Sequence, residues 1–329
     1  MFPSKSTPAR YPQSCIIVIC VLAVWLSGCS NSVPLEPLVN GATASGGTQS
    51  TAVPASGYGS GSFYPLAVGN TWNYEGGGTA RVISGSGPPE QEYEYAFTEV
   101  HRLVGTTSHE GTAYVVEEQV HHEIPESSYG PFTWWDRLRQ DPQGLFSLDT
   151  LLQEPPTLEG NRVVSAAVTS RPHHALRIDV AAWRRDGIAD ASLERFANRV
   201  EVLREVARGI IRSGEMPAPS GLELKRLVYP LHPSVSWSIR PDFPWPARVD
   251  RMELLSTPVG KIPAFRIDIN PFGDLLQAGE WVRVWFSREG YLGYSIHTFA
   301  EGTNQDGEPT GVTYELDDWM KLTSKNIVR

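Results

Sequence analysis

From Phe63 to the C-terminus, large apolar side chains recur mostly at every second residue, and the runs are broken by turns rich in Gly, Pro and Asn. Successive side chains of a strand point to opposite faces, so this spacing confines the chain to antiparallel strands with one buried face. Tyr93, Tyr95 and Phe97 alternate with Glu92, Glu94 and Thr98, which puts three aromatics on one such face. His109-Glu110-Gly111 reads as a hairpin turn leading into Ala113 to His122. The last hundred residues repeat the rhythm over Arg248 to Ser256, Lys261 to Ile269, Glu280 to Ser287, Tyr291 to Ala300 and Thr310 to Leu322. The turn formers of 302–307 join the last two strands of this meander.

One segment departs from the period of two. Leu193, Phe196, Val200, Leu203, Val206 or Ala207, and Ile210 recur at intervals of three and four, which predicts an amphipathic helix of about 20 residues. Asp190 or Ser192 can cap its start, and Gly214 can close it before Pro217. A lone helix in a β-rich chain is expected to cover the apolar face of a curved sheet.

Two short modules echo each other. Tyr64-Pro65-Leu66 is followed by Trp72, and Tyr229-Pro230-Leu231 by Trp237, with the same spacing. Pro fixes the start of each strand, Leu and Trp anchor it in the core, and Gly69-Asn70 makes a turn for which Pro233-Ser234 is the counterpart. Whether the two modules share one sheet is left open at this level.

The N-terminus carries an address. Lys5 and Arg10 precede an apolar run from Cys15 to Leu26, too short to span a bilayer as a helix and built like the core of a secretory signal. It ends in Leu26-Ser27-Gly28-Cys29. This tetrapeptide resembles the lipobox of bacterial lipoproteins, which implies cleavage before Cys29 and acylation of its thiol, with Leu26, Ser27 and Gly28 as the peptidase recognition residues. Residues 30 to 62 are mainly Ser, Gly, Thr, Ala, Pro and Asn. They read as a tether with a reach of about 30 Å. The expected organisation is a signal peptide over 1–28, lipidated Cys29 and tether over 29–62, an N-terminal β module over 63–180, a helical insertion over 181–220 and a C-terminal β module over 221–329. Ser30 rather than Asp follows the cysteine, which in a Gram-negative host implies sorting to the outer membrane.

Composition narrows the partners. Cys15 and Cys20 leave with the leader and Cys29 is acylated, so no disulfide is expected. The chain carries a net charge of -9, and loss of Lys5 and Arg10 makes it -11. A nucleic-acid partner and electrostatic attachment to anionic lipid are therefore not expected, and membrane attachment falls to the acyl chains.

Phe63-Tyr64-Pro65-Leu66-Ala67-Val68-Gly69-Asn70-Thr71-Trp72 looks like the PL-x-x-G-N-x-W opening of a group of bacterial lipoproteins. Thr257 to Phe265 is similar to that group's V-P-A-G-x-F-x-A segment, and Trp285 to Leu292 to its W-x-S-x-x-G hairpin. The group resembles periplasmic lipoprotein carriers and lipid-binding lipoproteins of the LolA/LolB kind. That resemblance implies a half-open antiparallel β-barrel covered by helix, a greasy concavity and no catalytic residues.

The remaining candidates have bland alternatives. His121-His122 and His173-His174 are tempting as metal ligands, but strand neighbours point apart, so solvated strand-end histidines are expected and no metal is. Asn304 to Glu308 lacks the acids of a calcium loop and reads as a hairpin turn. Asp317-Asp318 beside Trp319 could meet a sugar, yet the alternation of Tyr314, Leu316 and Asp318 reads as a solvated edge. Pro241, Pro244 and Pro246 around Phe243 and Trp245 describe a rigid loop that could rim an opening. No nucleophile elbow, zinc-protease, phosphate-loop or dinucleotide motif occurs, so neither an enzyme nor a cofactor is expected. Of Trp134 and Trp135, one should face a barrel interior while the other is exposed or packs under the helix. With Phe196 they are the candidates for lining a ligand cavity, core packing being the ordinary use of such residues. The overall expectation is a mainly β (α+β) body, a curved sheet or half-open barrel under one helix, in a membrane-anchored, non-enzymatic envelope lipoprotein. It would bind a lipid or other apolar ligand in a sheet-helix cavity, or alternatively hold another envelope protein with no small ligand.

Overall fold

The computed structural model describes residues 63–85, 87–124, 131–148, 158, 191–208, 222–241, 245–270, 276–304 and 306–328. Cys29 with its flanking lipobox, His173, His174, Ile210, Gly214, Phe243 and Pro244 lie outside them. The strands are β1 (Thr71–Ser84), β2 (Gln91–His109), β3 (Thr112–Ile124), β4 (Phe132–Asp141), β5 (Gly144–Leu148), β6 (Glu223–Val228), β7 (Ser236–Ser238), β8 (Pro246–Thr257), β9 (Gly260–Ile269), β10 (Trp281–Ser287), β11 (Gly290–Thr303) and β12 (Pro309–Asn326), with the helix α1 (Ala191–Arg208) between β5 and β6. All twelve strands form one antiparallel sheet in the order β6-β5-β4-β3-β2-β1-β12-β11-β10-β9-β8-β7. Its two end strands meet, since the Lys225 amide donates to the Ile239 carbonyl at 2.9 Å and Trp237 Nε1 to the Lys225 carbonyl at 2.8 Å. The sheet is thus a nearly closed barrel, more closed than the half-barrel expectation.

The period of two sorts side chains between the lumen and the outside. On β2, Phe97, Glu99, His101 and Leu103 are buried inward while Arg102 is exposed. The predicted stripe Leu193, Phe196, Val200, Leu203, Val206 and Ala207 is buried on α1, which packs against β10, β11 and β12. Ser192 lies inside the helix, and its Oγ accepts the Thr303 amide at 3.2 Å, which ties the helix start to β11.

The two Tyr-Pro-Leu modules lie in this one sheet, and although the Tyr229-Pro230 bond is cis and the Tyr64-Pro65 bond is not, the turns that follow them share a conformation at a constant offset. Gly69 and Ser234 occupy corresponding positions, and both have positive φ, 99° and 74°. The Asn70 amide donates to the Ala67 carbonyl at 3.1 Å, as the Val235 amide does to His232 at 3.2 Å. Each turn then latches onto the second strand of its own half. Gly69 and Asn70 exchange bonds of 2.8 and 2.9 Å with Leu103 of β2, and Ser234 and Val235 exchange bonds of 2.8 Å with Val249 of β8. Each half is a meander of six strands, and β1 of the first pairs with β12 of the second from Thr71↔Asn326 to Ser84↔Val312.

Strand β1 carries Gly76 and Gly78 at inward positions, and the rings of Phe97 and Tyr95 lie over them. A Cβ at Gly76 would meet the Phe97 ring and the Trp319 carbonyl. The glycines therefore let β2 aromatics lie across β1 beneath the helix, in the manner of aromatic rings that cover strand glycines. Gly76→Ala is expected to lower unfolding free energy by about 1–3 kcal/mol, read by urea titration. Gly87→Ala, in a turn with only the Ser84 carbonyl near at 3.7 Å, should leave it within about 0.5 kcal/mol of the parent.

Candidate functional site

Inward positions on β2 and β3 are held by ionisable groups instead of apolar ones. The register sets Glu99 opposite His121, His101 opposite Gln119 and Leu103 opposite Glu117, so the polar side chains converge. Glu99 Oε1 meets His101 Nε2 at 2.8 Å, and its Oε2 meets His121 Nδ1 at 3.2 Å and Arg208 Nε at 3.1 Å. Glu117 accepts Gln119 Nε2 at 2.6 Å and the Tyr64 hydroxyl, with His101 Nδ1 3.4 Å away. Gln119 Oε1 in turn accepts Trp134 Nε1 at 2.7 Å. On β4, Asp136 accepts Arg226 Nη2 at 2.5 Å and the Arg137 amide at 2.7 Å, and Arg226 Nε donates to Ser147 Oγ at 3.1 Å.

A second pairing lies further along the helix. Arg204 bonds both Asp318 of β12 and the Tyr95 hydroxyl. The Arg208 guanidinium sits 5.3 Å above the Phe97 ring, which adds a cation–π contact. The cluster is balanced, with carboxylates from Glu99, Glu117, Asp136 and Asp318 against Arg204, Arg208, Arg226 and a protonated His101.

Proton affinities follow from these neighbours. Burial opposes the charge on His101, but Glu117 and Glu99 outweigh it and push its pKa up to about 9. Burial disfavours ionised Glu99 as well, yet Arg208, His101 and His121 hold it far below the usual carboxylate range. Glu117 is also lowered against its burial, chiefly by His101. Burial lowers the pKa of His121, which stays neutral, and raises Asp136 to about 6 against the pull of Arg226.

Beside this cluster is a cavity of about 30 Å³, with Tyr64, Glu117, His101, Arg208 and Arg226 on one wall and Ile239, Trp245, Ile269, Val284 and Phe286 on the other. One water needs about 10–15 Å³, so there is room for about two. Trp245 Nε1, fully buried, and His101 Nδ1 have no hydrogen-bond partner among the described residues.

The expected cavity residues fall elsewhere. Trp134 points inward to Gln119, and Phe196 packs on Tyr314 with ring centroids 5.9 Å apart, but neither borders the cavity. Trp135 is neither exposed nor beneath the helix. It points out of the barrel and is fully buried against Val116 and Leu158, because the outer face of β3 and β4 is itself covered. His121 is an internal residue, not a solvated strand end, since its parity is that of Glu99 and His101. Asp318 is likewise internal: β12 is a central strand, between β1 and β11, so no solvated edge exists there. Trp245 enters the lumen wall and does not rim an opening.

The paired modules frame the same end of the barrel. Tyr64 stacks on Trp72 at 5.0 Å, and Trp72 Nε1 donates to the Glu289 carbonyl at 2.7 Å. Asn70 Nδ2 donates to the Pro65 carbonyl at 2.7 Å, and its Oδ1 accepts the Val328 amide at 2.7 Å. Leu66 and Trp237 pack at the margin of the core in which Leu231 is fully buried, and Pro230 precedes it. Sequence reasoning missed the outer-face group of His297, Glu315 and Asp317, whose donor atoms lie within 4.8 Å of one another. Arg81 Nη1 already meets Asp317 Oδ2 at 2.7 Å, so that group reads as an ion-pair network.

No protein-family model and no curated protein matches the chain. Among solved structures, a Bacteroides fragilis protein described as a putative exported protein with a YmcC-like fold is 10% identical with a TM-score of 0.30, covering 80% of this chain and 99% of that one. A Parabacteroides distasonis protein described as a putative lipoprotein is 9% identical with a TM-score of 0.26, covering 80% and 98%. The architecture given above rests on strand pairing alone.

Two consequences are measurable. His101 has a raised folded-state pKa, so its contribution is whole below about pH 6.5 and is lost as pH climbs through about 9. Unfolding free energy should therefore fall over that window by up to roughly 1.4 kcal/mol per pH unit, and His101→Gln should flatten the slope in urea titrations at pH 6.5, 8 and 9. Arg204→Met leaves Asp318 buried without its cation and is expected to cost about 3–5 kcal/mol, with most of it restored by adding Asp318→Asn.

Proposed function

We propose that the chain is a lipid-anchored lipoprotein of the bacterial envelope whose folded body is a non-enzymatic interaction module. The address rests on Leu26-Ser27-Gly28-Cys29 and the tether behind it. Where the envelope has an outer membrane, Ser30 favours that destination. The observation that carries the interaction reading is the filled lumen. Helix α1 and the balanced charge cluster occupy the barrel and leave about 30 Å³, far below the several hundred that a bound small ligand takes. The same filling supports a non-enzymatic role, because Glu99, His101 and Glu117 are paired with one another and the space beside them has room for about two waters.

A second reading, carriage of a lipid or acyl chain, is favoured by the apolar wall of Ile239, Trp245, Ile269, Val284 and Phe286. It requires the C-terminal turn of α1, with Val206, Ala207 and Arg208, to leave the lumen. Native mass spectrometry of the chain beginning at Ser30, incubated with envelope lipid extract, separates the two. An apo mass is the expected result, and a bound lipid that survives desalting would replace the interaction reading with carriage. The intact mass of the wild-type chain from bacterial membranes should begin at an acylated Cys29, and an unmodified N-terminus would remove the anchor.

A further inference from the structure

Six large apolar side chains stand out as exposed among the described residues, and four of them, Val68, Leu254, Val259 and Val328, lie at one end of the barrel. Pairing fixes that placement. β1 starts at Thr71 opposite Asn326, so Val68 and Val328 leave the sheet together. At the same end β10 closes its hairpin with Ser287↔Gly290, while β9 pairs with β10 only from Phe265 to Ile269. The rest of the β8–β9 hairpin therefore continues beyond β10 as a two-stranded arm turning at Pro258-Val259, in which Met252, Leu255 and Ile262 pack back on the core while Leu254 and Ser256 are exposed. On the far edge of β8, the described backbone partners stop at Val249. Leu254 and Val259 near the tip are each 42% exposed, and Val68 and Val328 are 48% and 49% exposed.

The arm also differs in charge from the rest of the chain. Its outer part, Leu254 to Pro263, contains no acidic residue and one cation, Lys261, in a protein of net charge -9, and Glu253 at its base is held by Trp285 Nε1 at 2.6 Å and Arg251 Nε at 2.7 Å. Its base is where the chain leads back to the anchor: Phe63, which follows the tether, packs edge-on against Phe265 at 5.4 Å and donates its amide to the Tyr229 hydroxyl at 3.1 Å.

We propose that this arm is a membrane-inserting tip, in which Leu254 and Val259, flanked by Val68 and Val328, enter the interface of the bilayer that holds Cys29. This rests on the anchoring reading given above. A few aliphatic side chains bind a bilayer weakly from solution, but a tether makes the contact intramolecular and raises its effective concentration. The tether starts beside the arm, so a lipid surface is the partner the arm meets first. The body would then stand with this end on the membrane, and the opposite end, with the β1–β2 turn at Glu90, would face away.

The test uses a thiol-linked bimane at Ser256→Cys in the arm or at Glu90→Cys at the opposite end. The mature chain offers no other free thiol once Cys29 is acylated. With the lipidated chain in phosphatidylethanolamine–phosphatidylglycerol vesicles, iodide quenching at position 256 should fall about threefold or more relative to position 90, and Leu254→Asp with Val259→Asp should abolish the difference. Equal quenching at both positions overturns the proposal. Flotation with the vesicles reports the anchor independently. If the chain does not float, the same labels in a chain beginning at Ser30, which carries none of the three cysteines, at high vesicle concentration decide the matter, with shielding of 256 supporting the arm and its absence overturning it. Shielding that grows with protein concentration in the absence of vesicles would assign the arm to a second copy and likewise overturn it.

Discussion

The guanidinium of Arg208, held inside the barrel against Glu99, is the contact on which the arrangement depends. A carboxylate buried in a lumen of low polarity is tolerable only with a cation and further hydrogen bonds. Glu99 receives these from the end of α1 and from two histidines on β2 and β3. The helix supplies a second cation, Arg204, to Asp318 on β12. Its apolar stripe accounts for its packing, but the arginines determine its depth and register, because a slide by one turn would carry one arginine to the other's carboxylate and leave the remaining carboxylate without its cation. Buried ion pairs add little net stability compared with apolar packing, and their clearest effect is to select one arrangement over its neighbours. The filled lumen thus follows from charge matching as well as from volume.

Closure of the barrel follows from the repeated turn. Each Tyr-Pro-Leu module bends at a residue of positive φ and bonds to the second strand of its own half, which presents the first strand of that half to the last strand of the other. The two junctions are unequal, since β1 zips along β12 over its whole length while β7 is three residues long and, among the described residues, one backbone bond joins β6 to this edge, from the Lys225 amide to the Ile239 carbonyl just past β7. That inequality leaves the far edge of β8 without a described strand partner beyond Val249, and the short β10 leaves the β9 edge likewise beyond Phe265. Phe63 and Tyr229, one from each module, pack at 5.9 Å, where the two repeats meet.

Strand positions, the helix and both module turns were legible because each rests on local periodicity or on Gly, Pro and Asn at turns. Closure was not, because the pairing of 71–84 with 312–326 is set by residues more than two hundred positions apart. The lumen cluster was half legible. Glu99 and His101 share the parity of Phe97 and Leu103, and polar residues at the buried parity of a strand mark an internal polar site. Reading His121 and Asp318 as solvated let polarity outweigh parity. Asp318 has the parity of Tyr314 and Leu316, and only the discovery that β12 is a central strand settles which face is inside. The outer position of Trp135 follows from parity alone, whereas its burial depends on Leu158, from a stretch with no readable period.

The distribution of charge links the interior to the exterior. The cluster acids are matched within the lumen, so the excess negative charge of the chain resides on the outside, where it repels an anionic bilayer over about one Debye length of 8–10 Å. The stretch from Leu254 to Pro263 is spared this repulsion because it carries no acid, and it is also where aliphatic side chains protrude. An acidic body with an acid-free hairpin tip would have, under the proposed anchoring, a preferred orientation at a charged surface before any partner arrives. A barrel closed by twelve strands and filled by its own helix suits such a role, since orientation at the tip fixes the direction of every outer face only if the body does not flex.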